Sequence, residues 1–270
     1  EISHRLALGG LNVIYSIGLL KFLLGKDHLA DKNSKNIDIY KNKLGIAAGL
    51  DKDGEYIDCL SALGIGFIEV GTVTPIEQLG NPKPRLFRNR KNEALLNRLG
   101  FNNKGVDALV KNLKKRNSSI PVGVSIGKNF DTPNELAFED YLFCMEKVYE
   151  YSSYIALNIS SPNTKSLREL SNKQFLEDLL TKIKKKQKQL SISSKYVPIF
   201  LKISPDENKE DLEQICKSIV ECKIDGIICS NTTVNHNDRN GYGGLSGLPL
   251  REKSTQCLLL VKKIVGNSVK

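Results

Sequence analysis

The sequence predicts an α/β fold, a TIM (β/α)8 barrel with an N-terminal helical extension and with its last strands missing from the chain. Two observations predict the barrel. From residue 44 onward, apolar strand-like segments alternate with amphipathic helical segments, and each of these strands ends in polar residues. The chain has 270 residues, and about 250 residues are typical of one such barrel. Alternating β and α units favour a parallel sheet with right-handed crossovers.

Six segments are candidates for parallel strands, because they are rich in Val and Ile and have few alternating polar positions, as burial on both faces requires. They span residues 44–48, 67–73, 121–126, 154–159, 198–203 and 226–229. Amphipathic stretches between them predict helices over residues 55–63, 106–115, 139–151, 175–190 and 209–222. We therefore place residues 41–270 in one barrel domain.

Residues that can do chemistry follow each predicted strand. The segment from Asn158 to Thr164 is the richest, because an apolar strand breaks there into amides, hydroxyls and a proline. The other strand ends supply Gly49-Leu50-Asp51-Lys52, Gly71-Thr72-Val73-Thr74, Gly127-Lys128-Asn129, Lys202 and Ser230-Asn231-Thr232-Thr233. Since active sites of βα barrels lie at the carboxyl ends of the strands, we expect these residues to surround one shared ligand.

Six predicted strands do not close an eight-stranded barrel, because the sequence reaches Lys270 where a seventh strand is expected to begin. Either the sheet is open or the chain continues beyond Lys270. We favour the second explanation.

Residues 1–40 differ from the rest and are expected to form a helical segment of their own. Apolar residues recur there near helical spacing, namely Ile2, Leu6, Leu8, Leu11, Ile14, Ile17, Leu20, Leu23 and Leu24. Two interpretations stay open: an amphipathic helix that packs on the barrel, or a surface helix that dips into a membrane interface. A polar linker is expected over residues 26–43, and no signal peptide is expected, because a charged leader with a small-residue cleavage site is missing.

The formal net charge of +10 also has several interpretations. A dense basic run lies in a predicted helix and consists of Lys182, Lys184, Lys185, Lys186 and Lys188. We favour a solvated helix face and keep attraction to an anionic membrane surface as an alternative. Nucleic acid ranks last as a partner, because no aromatic residues interleave with the lysines.

The cysteines and histidines argue against disulfides and metals. The six cysteines form no C-x-x-C pair and several lie in apolar stretches, which favours buried thiols in a reducing, cytosolic compartment. The three histidines, His4, His28 and His236, are scattered, so no zinc site is expected. No segment reaches the roughly 20 continuous apolar residues that a membrane-spanning helix needs.

Six motifs follow one another along the chain. They are Ala47-Ala48-Gly49-Leu50-Asp51-Lys52-Asp53-Gly54, Glu69-Val70-Gly71-Thr72-Val73-Thr74-Pro75, Pro82-Lys83-Pro84-Arg85-Leu86-Phe87-Arg88, Asn97-Arg98-Leu99-Gly100-Phe101-Asn102-Asn103, Asn158-Ile159-Ser160-Ser161-Pro162-Asn163-Thr164 and Ser230-Asn231-Thr232-Thr233. Together and in this order, they resemble the dihydroorotate dehydrogenase family. The resemblance runs from about Glu1 to the end of the sequence and is closest to bacterial members. The N-terminal helical segment and Ser161, where soluble class 1 enzymes carry Cys, are similar to the class 2, quinone-dependent branch.

The resemblance implies a flavoprotein of pyrimidine biosynthesis that oxidises dihydroorotate to orotate with FMN and passes the electrons to a membrane quinone. In the family's chemistry, Ser161 would remove the C5 proton of dihydroorotate while a hydride leaves C6 for flavin N5. A Ser hydroxyl is a poor base, so the proton must be relayed onward, and Thr164 and Phe101 correspond to the family residues that frame this relay. The enzyme would lie on the cytoplasmic face of the bacterial inner membrane, as a peripheral protein attached through its N-terminal helices.

The resemblance also assigns the residues that bind the substrate. Four asparagines match the family's amide ligands for the pyrimidine: Asn97, Asn158, Asn163 and Asn231. The rest of the expected substrate set is Lys52, Arg98, Leu99, Gly100, Phe101 and Thr232. A site that hydrogen-bonds a polar ring discriminates sharply, because an analogue leaves buried donors without partners.

The FMN site is expected at the same strand ends. Its residues, by resemblance, are Ala48, Gly49, Leu50, Asp51, Lys52, Thr72, Ser125, Asn158, Lys202, Ser230 and Gly247. Lys202 would lie near the N1–O2 edge of the flavin, where a positive charge stabilises the anionic reduced form; the alternative is an ion-paired structural lysine. Glycine at 49 and 247 suits a close approach of the backbone to a ring or phosphate, although residues 243–247 alone suggest only a flexible loop.

Several departures from the family pattern limit what the resemblance implies. The strands that carry the glycine loops for the FMN phosphate have no counterpart before Lys270, so a chain that ends there is expected to bind FMN poorly. Ser125 stands where the family has Asn and is expected to contact the flavin more weakly. Lys165-Ser166 replace a common Pro-Gly at a hinge of the active-site lid, and residues 234–243 form a shorter stretch than usual.

Two other functions stay open. One is another FMN barrel, such as a class 1 dihydroorotate or dihydropyrimidine dehydrogenase with a soluble acceptor, and Ser161 and the N-terminal helix argue against it. The other is a non-catalytic barrel remnant that binds a partner or a membrane through its basic face.

Overall fold

The computed structural model describes residues 1–24, 43–164 and 167–269. The strands of these residues, in chain order, are β1 (Gly45–Ile46), β2 (Phe67–Val73), β3 (Leu86–Asn89), β4 (Ala94–Asn97), β5 (Val122–Ile126), β6 (Tyr154–Asn158), β7 (Ile199–Lys202), β8 (Gly226–Ile228) and β9 (Gly244–Gly247). The helices are α1 (Ile2–Ser16), α2 (Leu19–Leu24), α3 (Ile57–Ser61), α4 (Val106–Lys115), α5 (Ala137–Val148), α6 (Lys173–Ser193), α7 (Lys209–Glu221) and α8 (Leu248–Val265).

The centre of the fold is a curled parallel sheet in the order β1-β2-β5-β6-β7-β8. Every neighbouring pair in it is parallel, and the strands β5 and β6 are buried along their whole length. Such burial is possible because a helix follows each strand and covers the outer face of the sheet. The prediction of a TIM-type α/β fold is confirmed. Among the described residues, β1 and β8 are the two edges of this sheet.

A second, antiparallel sheet in the order β3-β4-β9 lies outside the barrel strands and was missed by the sequence prediction. Strand β4 reads buried, exposed, buried and half-buried, and β3 alternates exposed and half-buried residues. The predicted strands were continuous apolar runs, so strands with such alternation were missed. The glycine-rich residues 243–247, which alone suggest a flexible loop, form β9 instead.

Glycines at the beginning of two strands leave room for aromatic rings on the neighbouring strands. Gly45 pairs with Phe67 and Gly123 pairs with Tyr154. A Cβ atom on Gly123 would lie 2.0 Å from Cζ of Tyr154, and one on Gly45 would lie 2.2 Å from Cζ of Phe67. Tyr154 also stacks on Phe200, with 4.9 Å between the ring centroids. The rings therefore fill the amino-terminal end of the sheet interior.

Helix α1 packs on the barrel through one face only. Leu8 is buried in the main core, and Leu11 and Tyr15 pack against that core. The opposite face and α2 expose large apolar side chains, namely Ile2, Leu6, Val13, Ile17, Leu19, Phe22 and Leu23. One face thus fits the packing interpretation, while the other is exposed in the part of the chain that the structure describes. No helix in the described ranges is long and apolar enough to cross a membrane.

The lysine run lies on α6 and is largely engaged in ion pairs within the domain. Lys182 pairs with Asp178 at 2.6 Å, and Lys186 pairs with Glu146 at 2.6 Å. Lys184 lies 3.4 Å from an oxygen of Asp225. These contacts favour the interpretation of a solvated helix face.

Two predicted features fall outside the described residues. The linker over residues 26–43 is described only at Lys43, and the Lys165-Ser166 hinge is not described. All six cysteines are free thiols, and four of them are buried, as the apolar stretches around them predict.

Replacing Gly123 by Ala should destabilise the barrel, because the new methyl group would overlap the ring of Tyr154. Overpacking of a core costs about 1–3 kcal/mol, so we expect the free energy of unfolding in urea to fall by about that amount. Gly10→Ala is the matched control, because no described atom lies within 4 Å of its Cβ position. Alanine is favoured over glycine within helix α1, so the free energy of unfolding should rise by about 0.5–1 kcal/mol. A Gly123→Ala variant as stable as the parent would contradict this interior packing.

Candidate active site

The carboxyl ends of the parallel strands are joined by a chain of side-chain hydrogen bonds, which we call the strand-end network. It consists of Thr72, Ser125, Asn158, Ser160 and Asn231. Asn158 Nδ2 donates to Thr72 Oγ1 at 2.8 Å, and the hydroxyls of Thr72 and Ser125 are 2.9 Å apart. Asn231 Nδ2 donates to Asn158 Oδ1 at 3.3 Å and to Ser160 Oγ at 3.0 Å. The network therefore connects the ends of β2, β5, β6 and β8.

Asn158 is the central member of the network and is held from both sides of the sheet. Its backbone carbonyl accepts a hydrogen bond of 2.9 Å from the hydroxyl of Tyr141, which lies on α5 and is completely buried. Its side chain is 5% exposed and uses its amide nitrogen and oxygen within the network. The orientation of Asn158 is thus fixed by the protein itself.

The segment after β6 brings Ser161 and Thr164 into the buried interior. Ser161 Oγ accepts a hydrogen bond of 3.4 Å from the backbone N–H of Asn163. Thr164 Oγ1 and Asn163 Oδ1 are buried and have no hydrogen-bond partner among the described atoms. A buried polar atom without a partner costs about 1–3 kcal/mol, so these oxygens fit a site that a ligand completes.

The small sheet closes over this segment. Asn163 Nδ2 donates to Asn97 Oδ1 at 3.0 Å, and Asn97 Nδ2 donates to the carbonyl of Gly244 at 3.1 Å. A Cβ atom on Gly244 would lie 2.1 Å from Oγ1 of Thr232 and 3.2 Å from Cγ of Pro162. Strands β4 and β9 therefore lie against the loops after β6 and β8, and they bring Asn97 and Thr232 to the site.

The residues after Asn97 contact different parts of the chain. The guanidinium of Arg98 lies 4.7 Å from the ring of Phe87 and 4.4 Å from the ring of Tyr242, and it donates to the carbonyl of Asn240. These contacts engage Arg98 with the small sheet and the 234–243 loop. The carbonyl of Leu99 accepts from the backbone N–H of Asn81.

Gly100 and Phe101 turn the chain back toward the barrel with positive φ angles of 68° and 52°. A Cβ atom on Gly127 would lie 2.9 Å from both Cε2 of Phe101 and Cγ2 of Thr72. The ring of Phe101 therefore lies beside the strand-end network.

Lys52 is fixed at the end of the loop that follows β1. Gly49 N–H donates to the carbonyl of Gly71, and Gly71 N–H donates to the carbonyl of Lys52, so the loop runs against β2. Lys52 Nζ donates to Asn102 Oδ1 at 2.8 Å. Burial, together with the charge of Arg85, lowers the pKa of Lys52 to about 8, although the charges of Asp53 and Glu1 act in the opposite direction.

The same loop offers an open surface at Gly49, which has a φ of 108° and no described atom within 4 Å of its Cβ position. Ala48 beside it is half-buried and Leu50 is exposed. Asp51 is committed to structure, because its carboxylate accepts the backbone N–H groups of Glu55 and Tyr56 at 2.8 Å each. Burial raises the pKa of Asp51 to about 6 despite these two bonds.

A cleft of about 510 Å3 lies between the beginning of α1 and this loop. Its lining includes His4 and Arg5 from α1, together with Gly49 and Lys52 from the loop. The N-terminal helix therefore borders the neighbourhood of the predicted site.

Lys202 lies inside the sheet beside a buried carboxylate that the sequence analysis assigned no role. Lys202 Nζ is 3.9 Å from Glu69 Oε1, and Glu69 Oε2 accepts a hydrogen bond of 3.0 Å from the hydroxyl of Tyr154. Glu69 is 4% exposed. A charged residue within an otherwise apolar strand is the signal that could have indicated this pair.

Ser230 and Gly247 complete the predicted cofactor set. Ser230 is half-buried, and its hydroxyl donates to the carbonyl of Asn231 at 3.0 Å. Gly247 has a φ of 96°, and a Cβ atom there would lie 2.2 Å from the carbonyl oxygen of Glu93. Close packing against β4 therefore explains the glycine at position 247.

Asp206, a carboxylate in the loop after β7 that the sequence prediction missed, contacts three other segments of the chain. Arg168 Nη1 donates to Asp206 Oδ2 at 3.1 Å, and Lys253 on α8 reaches Asp206 Oδ1. The Ser204-Pro205-Asp206 sequence could have indicated this residue, because it places a carboxylate shortly after the strand that ends at Lys202.

Comparison with known proteins shows the family. The family model described as "Dihydroorotate dehydrogenase" matches residues 32–270. A relative described as "Dihydroorotate dehydrogenase (quinone)" from Aliivibrio fischeri (strain MJ11) is 50% identical over 252 residues, which are 90% of this chain and 75% of the relative. A relative with the same description from Acinetobacter baylyi is 46% identical over 276 residues, with 100% of this chain and 81% of the relative covered.

Solved structures agree with this result. The crystal structure of DHODH in complex with ferulenol from Eimeria tenella matches with a TM-score of 0.86 and 32% sequence identity, covering 100% of this chain and 78% of that one. The ligand-free type from the same organism matches with a TM-score of 0.85 and 33% identity, covering 98% and 80%. From the matched model, the relatives and the shared fold, we conclude that this chain belongs to the dihydroorotate dehydrogenase family.

Proposed function

We propose that this chain is a class 2, quinone-dependent dihydroorotate dehydrogenase of pyrimidine biosynthesis. It oxidises dihydroorotate to orotate, with FMN as the hydride acceptor and a quinone as the final electron acceptor. Besides the similarity to relatives of this name, one observation carries the proposal. Ser161 is buried at the strand ends beside Thr164 and Asn163, whose side-chain oxygens have no partner among the described atoms.

The strand ends fit FMN. Gly49 presents an open surface without a side chain, and Lys202 offers a cation on the adjoining face. The hydroxyls of Thr72 and Ser125 and the side chain of Asn158 supply hydrogen-bonding groups. When bound, FMN supplies the hydride acceptor of the reaction. The residues that would hold it are Ala48, Gly49, Leu50, Asp51, Lys52, Thr72, Ser125, Asn158, Lys202, Ser230 and Gly247.

The substrate would be recognised by amides and one cation. Asn163 is hydrogen-bonded to Asn97 and to Ser161, and Asn231 is hydrogen-bonded to Asn158 and to Ser160. These amides can donate to and accept from the polar edges of a pyrimidine. Lys52 supplies the positive charge for the carboxylate of dihydroorotate.

Ser161 acts as the base that takes the C5 proton. Its hydroxyl is a weak base, so the proton must pass onward as the C–H bond breaks. Thr164 Oγ1 is available for this step, since no described atom bonds to it. The ring of Phe101 lies beside the neighbouring strand ends.

A peripheral position on the cytoplasmic face of the bacterial inner membrane fits the N-terminal helices. Their outer face carries large apolar side chains; Phe22 is 83% exposed and Leu6 is 71% exposed. An amphipathic helix with such a face binds in the headgroup region of a bilayer. The cleft between α1 and the loop after β1 is lined by His4 and Arg5 together with Gly49 and Lys52, so a quinone could approach the flavin there.

The non-catalytic alternative is less well supported. Its basic face depends on the lysine run of α6, and Lys182, Lys184 and Lys186 are engaged in ion pairs with the domain. A soluble electron acceptor is disfavoured by the exposed apolar face of α1 and α2, which has no use in such an enzyme.

The proposed reaction is tested with protein expressed from its complete reading frame. Dihydroorotate should bleach the flavin absorbance, and a short-chain quinone should restore it, whereas fumarate should not. Ser161→Ala should slow the bleaching by about 100-fold or more, within the range that general bases contribute, and should leave orotate affinity nearly unchanged.

The controls separate the outcomes of this experiment. Ser191→Ala alters an exposed serine on α6 and should react like the parent. Absence of bleaching in the parent would refute the proposed enzymatic reaction. Recovery of the flavin absorbance with fumarate alone would refute the assignment of a quinone as acceptor. A Ser161→Ala variant with normal bleaching and weak orotate binding would refute the base assignment.

Orotate affinity should depend on pH through Lys52. The pKa of Lys52 is lowered to about 8, so this lysine is charged at neutral pH and loses its proton as the pH rises above that value. A bound carboxylate favours the charged form, and affinity should therefore fall by up to about tenfold per pH unit above pH 8.

Titration of orotate against flavin absorbance between about pH 7 and pH 9 measures this effect. Lys52→Met should bind weakly and with little dependence on pH. Lys104→Met is the control, since Lys104 is exposed and its pKa is raised by the hydrogen bond to Glu55. An unchanged affinity of the parent across this range would contradict the role of Lys52.

Membrane binding should depend on the outer face of the N-terminal helices. The double substitution Leu6→Asp and Phe22→Asp should abolish co-sedimentation with vesicles of anionic and zwitterionic phospholipid, because charged groups at an apolar face oppose insertion. Flavin bleaching by dihydroorotate should remain. Ile192→Asp, which changes an equally exposed residue at the end of α6, should still co-sediment. Vesicle binding by the double variant at the parent level would refute this attachment.

A further inference from the structure

Asp206 is a buried carboxylate whose two oxygens both accept two hydrogen bonds. Oδ1 accepts from Thr233 Oγ1 and from Lys253 Nζ, at 2.5 Å each. Oδ2 accepts from Val234 N–H at 2.8 Å and from Arg168 Nη1 at 3.1 Å. The side chain of Asp206 is 7% exposed. One carboxylate thus receives four donors from three separate parts of the chain.

The partners of Asp206 directly adjoin the predicted substrate residues. Arg168, in the short helix Leu167–Ser171, also donates through Nε to the carbonyl of Ser160 at 3.3 Å, and Ser160 precedes Ser161. Thr233 and Val234 directly follow Thr232. Asp206 therefore ties the segment that carries Ser161 to the loop that carries Asn231, and α8 secures both through Lys253.

We infer that Asp206 is a positioning residue for the oxidation of dihydroorotate, which holds Ser161 and Asn231 in their relative places. This inference rests on the proposed function. Asp206 acts through Arg168 and Thr233, since all four of its bonds go to protein donors. Misplacement of a reacting group by about 1 Å can cost about 100-fold in rate, so a tie of this kind has a kinetic consequence.

An aspartate is specifically required by the arrangement of donors. Asparagine keeps one acceptor oxygen but replaces the other by an NH2 group, which has only hydrogens to offer to the donors facing it. Asp206→Asn therefore loses one half of the contacts while keeping the size of the side chain. Burial raises the pKa of Asp206, but the bonds from Lys253, Thr233 and Val234 outweigh it and hold that pKa below its ordinary value.

The folded protein should tolerate this substitution. The side chains of Arg168 and Lys253 are 26% and 32% exposed, so water can reach them once the carboxylate charge is gone. Thr233→Val offers a second, milder variant, because it removes a single hydroxyl donor and keeps the shape. FMN content and the thermal midpoint of each variant report whether the fold is intact.

A double-mutant cycle separates positioning of Ser161 from a general structural effect. The rate of flavin bleaching is measured by stopped flow at saturating dihydroorotate, in the parent, Asp206→Asn, Ser161→Ala and the double variant. If Asp206 acts through Ser161, its substitution matters only while Ser161 is present, so the two effects are not additive. Asp178→Asn, an exposed ion-paired aspartate of α6, is the control that should leave the rate unchanged.

We expect Asp206→Asn to slow bleaching by about 10- to 100-fold in the parent and by less than about threefold in the Ser161→Ala background. Thr233→Val should also slow bleaching, by a smaller factor. This variant tests the inference if Asp206→Asn fails to fold. Normal bleaching by a folded Asp206→Asn variant would overturn this inference but not the proposed function. Slowing of bleaching by equal factors in the parent and in the Ser161→Ala background would do the same. A parent that is not bleached would overturn the proposed function and this inference with it.

Discussion

The hydrogen bonds of the Asn158 side chain are the constraint on which the site depends. A parallel sheet brings the carboxyl ends of its strands to one edge, but it does not fix the polar groups there relative to one another. Asn158 does so, because its nitrogen bonds to Thr72 and its oxygen accepts from Asn231. Asn158 itself is buried, where a polar group without a partner is costly, so the side chain has little freedom to turn.

Three further contacts extend this arrangement outward. The small sheet brings Asn97 to Asn163, Phe101 packs beside Thr72, and Asp206 joins the loops after β6 and β8 through Arg168 and Thr233. On the opposite side, Lys202 reaches into the sheet interior toward Glu69. These polar residues are therefore held in place by contacts within the protein, as a preorganised site requires.

The sequence predicted the parts of the molecule whose signals are local. Val- and Ile-rich runs gave the strands Phe67–Val73 and Val122–Ile126 to within one residue, and the polar residues after each strand indicated the site. The helix Val106–Lys115 was predicted with its observed bounds. The short strands β3, β4 and β9 were missed. Strands β3 and β4 form a local hairpin without a continuous apolar run, and β9 pairs with β4 across about 150 residues, such as Ser246 with Leu95. Asp206 and Glu69 were missed as site residues, although each has a local signal, because their partners lie far away in the sequence.

The most direct measurement of the central claim is a crystal structure of the protein, expressed from its complete reading frame, with FMN and orotate bound. The account predicts that the orotate ring lies within hydrogen-bond distance of the side chains of Asn97, Asn163 and Asn231. Ser161 Oγ should face C5 of the ring, and Asn158 should keep its bonds to Thr72 and Asn231. Orotate bound elsewhere, or Asn158 turned away from both partners, would contradict the account.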